Sequence, residues 1–321
     1  MSHQVENMFF VGATPWHGLG VQLDNPPTVA DGIKQAGLDW QVGLRECFAD
    51  VLGQGFMQEV PARAVVRETD GSILGVVGER YRPLQNVDAF GWFQPLLNSG
   101  ECSLHTAGSL CEGRRVWILA KLNREAAEIA PGDTIEKFLL LSNSHDGTLA
   151  IRVGFVPIRV VCANTLRLAH DSKESSLCRI LHTQSARGTL DLLRETVNLA
   201  DAAFEATAEQ YRRLAATKIN QTDLRRYVKT VLELDLDDDR KIPTRSKNIV
   251  AEIIATANGG TGNSRPETRG TLWTAYNGVT EYLGTSRGRN NDSRLNSLWF
   301  GDSANVSQRA LDLAIQFALA A

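Results

Sequence analysis

The sequence predicts an α+β protein. It reads as an antiparallel β-meander with a packed helix in the N-terminal part, followed by a helical C-terminal region. Three observations predict this. Up to about residue 185 the apolar residues come in short runs bounded by turn residues, the pattern of strands. Beyond Ser185 apolar residues recur at helical spacing. Strands gathered first and helices afterwards give α+β rather than a doubly wound sheet. The expected domains are therefore a sheet-rich α+β core over 1–185 and a helical region with polar, Arg-containing loops over 186–321.

The elements follow in order. Pro15 to Gly20 (PWHGLG) suits a fixed loop. Thr28 to Gly37 reads as a short helix, with Thr28 as N-cap, Val29 and Ile33 on one face and Gly37 closing it. Val60 to Val66 and Ile73 to Gly78 flank Asp70-Gly71, a hairpin signal. Asn86 is placed to cap a helix running to about Leu97. Arg115 to Leu122 and Ile135 to Ser142 read as strands, and Leu149 to Val156 as a strand returning through His145-Asp146-Gly147. Asn164 and Thr165 are placed to open a short helix. Helices are then expected over Leu190 to Leu214, Thr222 to Leu234, Ser246 to Ala257, Leu272 to Leu283 and Val306 to Leu319. Polar loops lie at Asn258 to Gly270 and Gly284 to Asn296.

Composition narrows the function classes. The chain has 321 residues, 43% hydrophobic and 22% charged, enough to bury a large core. Its formal net charge is −3, so any nucleic-acid site must be a local patch. No apolar run reaches the roughly 18 residues that cross a bilayer, and the N-terminus lacks the pattern of a secretion signal. The five cysteines are odd in number and form no CxxC pair, which speaks against structural zinc and a disulfide framework. A cytoplasmic protein with reduced thiols, and with no cofactor, metal or membrane partner, is expected.

The chemistry concentrates in Ser142 to His170. Arg152, Arg159 and Arg167 sit at spacings of seven and eight inside an apolar segment. Guanidinium groups on a rigid sheet suit phosphate recognition. With Arg114 and Arg115 they would line a groove. Trp117 lies two residues past Arg115, on the same strand face, and would stack a base. In the late loops Arg265, Arg269, Arg287 and Arg289 stand among Gly, Asn, Ser and Thr, a composition that wraps phosphates. The GxxxxGK[ST] spacing of a P-loop is absent, and GVVGERY lacks GxGxxG. His145 and Asp146 form the one pair that could serve a hydrolase or nuclease, although Asp-Gly also suits the turn itself. Cys162 and Asn164 read as a buried small residue and a cap, and Trp273 and Tyr276 as core or a subunit contact. No residues are assigned catalytic or metal-binding roles, so the expectation leans away from an enzyme.

PWHGLG, GVVGERYRPLQN at Gly75 to Asn86, the His-Asp-Gly turn, PIRVVCANTL at Pro157 to Leu166 and TLWTAYNGVTEYL at Thr271 to Leu283 fall in one order. Together they resemble the phage/plasmid-like family of uncharacterised proteins. The resemblance covers most of the chain and implies residence on phages, plasmids and integrated elements, but it supplies no reaction. The expected order of elements is also similar in outline to phage single-strand annealing proteins, whose cores pair a curved antiparallel sheet with a helix and assemble into rings or filaments. The expectation is a mobile-element DNA-metabolism protein that binds single-stranded DNA without sequence preference. It would act as a homo-oligomer, in DNA recombination by strand annealing. The alternatives are a hydrolase or nuclease using His145-Asp146, and a structural or partner-binding protein.

Overall fold

The computed structural model describes residues 5–12, 20–159, 164–165, 178–180, 182, 204–236, 238–288, 294, 297–298 and 301–320. Strands gather early and helices late, as the α+β class requires. The chain divides into two compact units that interleave. One is Met1–Asn123, Leu139–Gly154 and Leu177–Asn198; the other is Arg124–Phe138, Phe155–Ser176 and Leu199–Ala321. Two long strands, β9 (Asp133–Ser144) and β10 (Ile151–Arg159), each pass from one unit into the other.

The first unit contains β1 (Val5–Val11), β2 (Val21–Leu23), α1 (Val29–Gln35), β3 (Val42–Asp50), β4 (Met57–Arg67), β5 (Ile73–Gly78), α2 (Asn86–Gly91), α3 (Gln94–Asn98), β6 (Cys102–Leu110) and β7 (Arg115–Leu122). A nine-stranded sheet runs in the order β11-β10-β9-β7-β6-β1-β2. In it β11 is Asn164–Thr165, β12 (Cys178–Ile180) lies beside β10, and β8 (Ala127–Ala130) lies beside β9. Strands β3, β4 and β5 make a separate antiparallel sheet. The pairing of β1 with β2 is parallel.

Several local expectations hold for stated reasons. Thr28 caps α1 by accepting from the Asp31 N–H at 3.2 Å, and β4 and β5 pair across the Asp70-Gly71 turn. Others are corrected. Asn86 is no cap: it is the first residue of α2, buried, and its amide faces the carbonyls of Leu38 and Trp40. Asn164 and Thr165 open no helix. Their backbone pairs with Ile158 and Arg159 as a two-residue strand. Residues 13–19, most of the PWHGLG loop, and Cys162 lie outside the described residues.

The second unit is built on helices: α4 over 204–216, α5 (Gln221–Val231), α6 (Thr244–Gly259), α7 (Leu272–Thr285) and α8 (Asp302–Ala320). Of the helix expected over Leu190 to Leu214, the part before 204 lies outside the described residues. Helix α7 is buried almost all round, its polar residues Thr274, Asn277 and Thr280 included. Thr271 and Thr274 close a reciprocal capping box at its start. Tyr211 of α4 packs on Trp273 and Tyr276 of α7, ring centroids 4.8 and 6.1 Å away. Trp273 and Tyr276 are therefore core residues of this unit.

Candidate nucleic-acid interface

Each predicted arginine has a definite place. Arg159 is 0% exposed. It faces inward at the end of β10, where its Nε donates to Asp133 Oδ1 at 2.8 Å and its Nη2 to Asp133 Oδ2. Its Nη1 donates to Asn263 Oδ1 at 3.0 Å, and Nη2 reaches the Gly262 carbonyl. Trp273 Nε1 donates to the same Asp133 carboxylate at 2.9 Å, and the guanidinium lies 5.3 Å from the Trp273 ring centroid. Arg159 is thus removed from the groove expected on the sheet. It binds the loop at Asn258 to Gly270, which had been expected to wrap a phosphate.

Trp117 is also corrected: it is 1% exposed. It lies opposite Gly108 in the β6–β7 register, where a side chain larger than hydrogen would collide with the indole. A ring enclosed this way cannot stack on a base. The reason is legible in β7 afterwards, since RVWILAKL is buried along nearly its whole length rather than on one face.

Arg114 is exposed, with the Glu112 carboxylate at 3.8 Å. Arg115 and Arg152 are half-buried and hold interactions of their own. Arg167 and Arg289 lie outside the described residues. The late-loop arginines differ. Arg269 is exposed, Arg265 donates to the Pro131 carbonyl at 3.4 Å, and Arg287 is half-exposed just after α7. None of these three has a carboxylate partner among the described residues. Arg159 and Trp117, both buried, take no part in an open trough. Arg114, Arg115, Trp117 and Arg152 belong to the first unit, and Arg159, Arg265, Arg269 and Arg287 to the second.

His145 and Asp146 are built as a support. His145 is fully buried and its Nε2 bonds Asn86 Oδ1 at 3.0 Å. Because the Asn86 amide nitrogen already faces two carbonyls, its oxygen accepts and His145 carries its proton on Nε2. Burial pushes the imidazole pKa down to about 3, with a smaller contribution from His182. The Asp146 carboxylate accepts from the Thr148 N–H at 2.9 Å and the Thr148 hydroxyl, closing its own turn. A neutral, enclosed imidazole beside a carboxylate engaged this way has no route to a substrate. Among the described residues no group of three or more His, Cys, Asp or Glu is placed to hold a metal.

Two cationic or polar residues of the second unit went unread in the sequence: Arg245, exposed in the first turn of α6, and Tyr282, buried near the end of α7. The signal was available in Pro243-Thr244-Arg245-Ser246, a helix start that carries a base and no acid.

The comparisons with known proteins give the family. The family described as Domain of unknown function (DUF932) matches residues 73–299, more than half of the chain. This chain belongs to the DUF932 family. No curated protein and no solved structure matches it. The DUF932 match begins at β5 and ends before α8. It takes in the His145 support, the Arg159–Asp133 pair and the late-loop arginines, while the β3–β4 hairpin lies outside it.

Proposed function

We propose that this DUF932 protein binds single-stranded nucleic acid without sequence preference and performs no bond chemistry. It would act as a homo-oligomer in the DNA metabolism of a phage or plasmid, with strand annealing as the process served. One observation supports this reading above the rest: the second unit leaves Arg265, Arg269 and Arg287 without carboxylate partners among the described residues. A guanidinium on the surface with no internal counter-charge is available to a phosphate. In the first unit Phe48 and Phe56 are 52% and 68% exposed, and they offer ring faces of the kind Trp117 does not. Labelled oligonucleotide titrated with the full chain at about 50 mM salt tests the reading. Saturable binding that weakens in Arg265→Ala/Arg269→Ala/Arg287→Ala is expected; absence of binding at that salt contradicts it.

A second reading, a partner-binding protein, is favoured by the tip of the β3–β4 hairpin. There Val51 and Leu52 on one side of Gly53-Gln54-Gly55, and Phe56 and Met57 on the other, are all exposed, an apolar exposure of the kind that marks an interaction surface. Mass photometry of wild type and Leu52→Glu/Phe56→Glu tests it: an assembly that falls apart in the variant supports this reading, and an unchanged mass counts against it.

A further inference from the structure

The second unit contains a cavity of about 670 Å³, within the roughly 300–1,000 Å³ of pockets that hold small molecules. It lies among the end of α5, the first turns of α6 and α8, and the end of α7. Its charged lining is Arg245, Arg287, Arg309, Glu233 and Asp302. Arg309 and Glu233 cancel one another at 3.0 Å, and Arg309 Nε also donates to the Val231 carbonyl. Arg245 and Arg287 form no ion pair among the described residues. Asp302 leaves the lining with a net positive charge of about one.

Tyr282 lines the same space. Its side chain is 6% exposed, yet its hydroxyl has no hydrogen-bond partner among the described residues. The hydroxyl itself is not enclosed, so it is open to the cavity and available to donate to a ligand. Burial raises its pKa and the Glu252 carboxylate adds to the rise, while Arg287 and Arg245 oppose it, so both guanidinium groups lie near enough to act on this hydroxyl. Helix α6, 16 residues long, begins at the cavity with no side-chain cap, because Pro243 stands at its N-cap. The start of a helix carries the positive end of its dipole, which favours an anion nearby. Leu283, Ile249 and Val306 supply an apolar part of the wall, and Ser246 and Ser286 add hydroxyls.

We propose that this cavity binds a phosphomonoester carried on a nucleoside-sized body. Arg245 and Arg287 clamp the phosphate, the Tyr282 hydroxyl donates to it, and the apolar wall covers the base. Asp302 and Asn305, which also line the cavity, accept from sugar hydroxyl or base amino groups. The choice of a nucleoside body rests on the nucleic-acid reading above; the anion site itself does not. The group could arrive as a free mononucleotide or as the phosphorylated end of a strand.

Calorimetric titration of the full chain with deoxyadenosine monophosphate, and separately with deoxyadenosine, tests the proposal. The monophosphate is expected to bind and the nucleoside to bind at least about tenfold more weakly. Tyr282→Phe, which keeps the ring, should weaken the monophosphate roughly three- to tenfold. Arg245→Ala/Arg287→Ala, at positions open to solvent, should weaken it by about a hundredfold or more while thermal unfolding of the unliganded protein stays unchanged. Equal binding of nucleoside and monophosphate, no heat from the monophosphate at millimolar concentration, or undiminished affinity in both variants overturns the proposal. A matched pair of oligonucleotides, 5′-phosphorylated and 5′-hydroxyl, separates the two sources. Preference for the phosphorylated strand assigns a strand end; monophosphate binding with no such preference assigns a free nucleotide. If the hydroxyl oligonucleotide binds and the monophosphate does not, the cavity proposal fails and strand binding stands. If the monophosphate binds and neither oligonucleotide does, strand binding fails and the cavity proposal stands.

Discussion

Burying a guanidinium costs several kcal/mol unless its donors and its charge are both met. Around Arg159 they are met by Asp133, Asn263 and the Gly262 carbonyl, and Asp133 in turn receives Trp273. Removing one partner leaves the other buried and uncompensated. Asp133→Ala should therefore destabilise the protein by about 3–5 kcal/mol in urea unfolding, and replacing both partners by apolar residues, as in Arg159→Met/Asp133→Leu, should recover much of that loss. Equal losses in the single and double variants would contradict this. At this scale the sequence was ambiguous. Arginine in an apolar run signals a special environment, but its partner Asp133 lies 26 positions away, and no local spacing points to it. His145 makes a second residue-level prediction. The unfolded chain takes up a proton at this imidazole near 6.5, whereas the native chain holds it neutral down to about 3. Between these values the unfolded state binds more protons, so stability falls as pH drops from about 6.5, by about 1.4 kcal/mol per pH unit from this site. His182 is shifted in the same direction, chiefly by burial. Urea unfolding at pH 7, 6 and 5 should show a shallower fall in His145→Gln than in wild type; parallel curves would contradict the assignment.

The elements were read with more success than their caps and contacts. The period of the apolar residues located β7, β9, β10 and the four late helices, because burial of one face or of all faces imprints that period. It missed β3, whose outer half, ending ECFAD, is exposed on both faces and has no buried alternation to read. Helix α7 shows what holds the second unit together. Gly278 meets Ala257 of α6 so closely that an added Cβ would lie 2.7 Å from the Ala257 backbone nitrogen. Gly278→Ala should therefore lower stability by about 1–3 kcal/mol even though alanine is the better helix former. Stabilisation on thermal melting would mean the two helices are not in this contact. Thr271→Ala removes the side-chain half of the capping box and should lower stability by about 1 kcal/mol in the same assay.

At the scale of the whole molecule, a net charge of −3 means that attraction to a polyanion must come from a few well-placed cations rather than from the overall field. The sequence identified basic residues but not their counter-charges, and counter-charges decide which of them are available. The sheet arginines were the stronger reading by pattern. The late-loop arginines, in less ordered sequence, are the ones left without carboxylates. The chain's division was equally hidden, because β9 and β10 read as ordinary strands and nothing in them announces that each serves two units. The most direct measurement is the salt dependence of oligonucleotide binding by wild type and by Arg265→Ala/Arg269→Ala/Arg287→Ala. Each phosphate contact on a single strand contributes about 0.7 to the slope of log affinity against log salt. The account predicts a steep wild-type slope that flattens by about 2 in the triple variant; identical slopes, or no binding by the wild type at low salt, would contradict it.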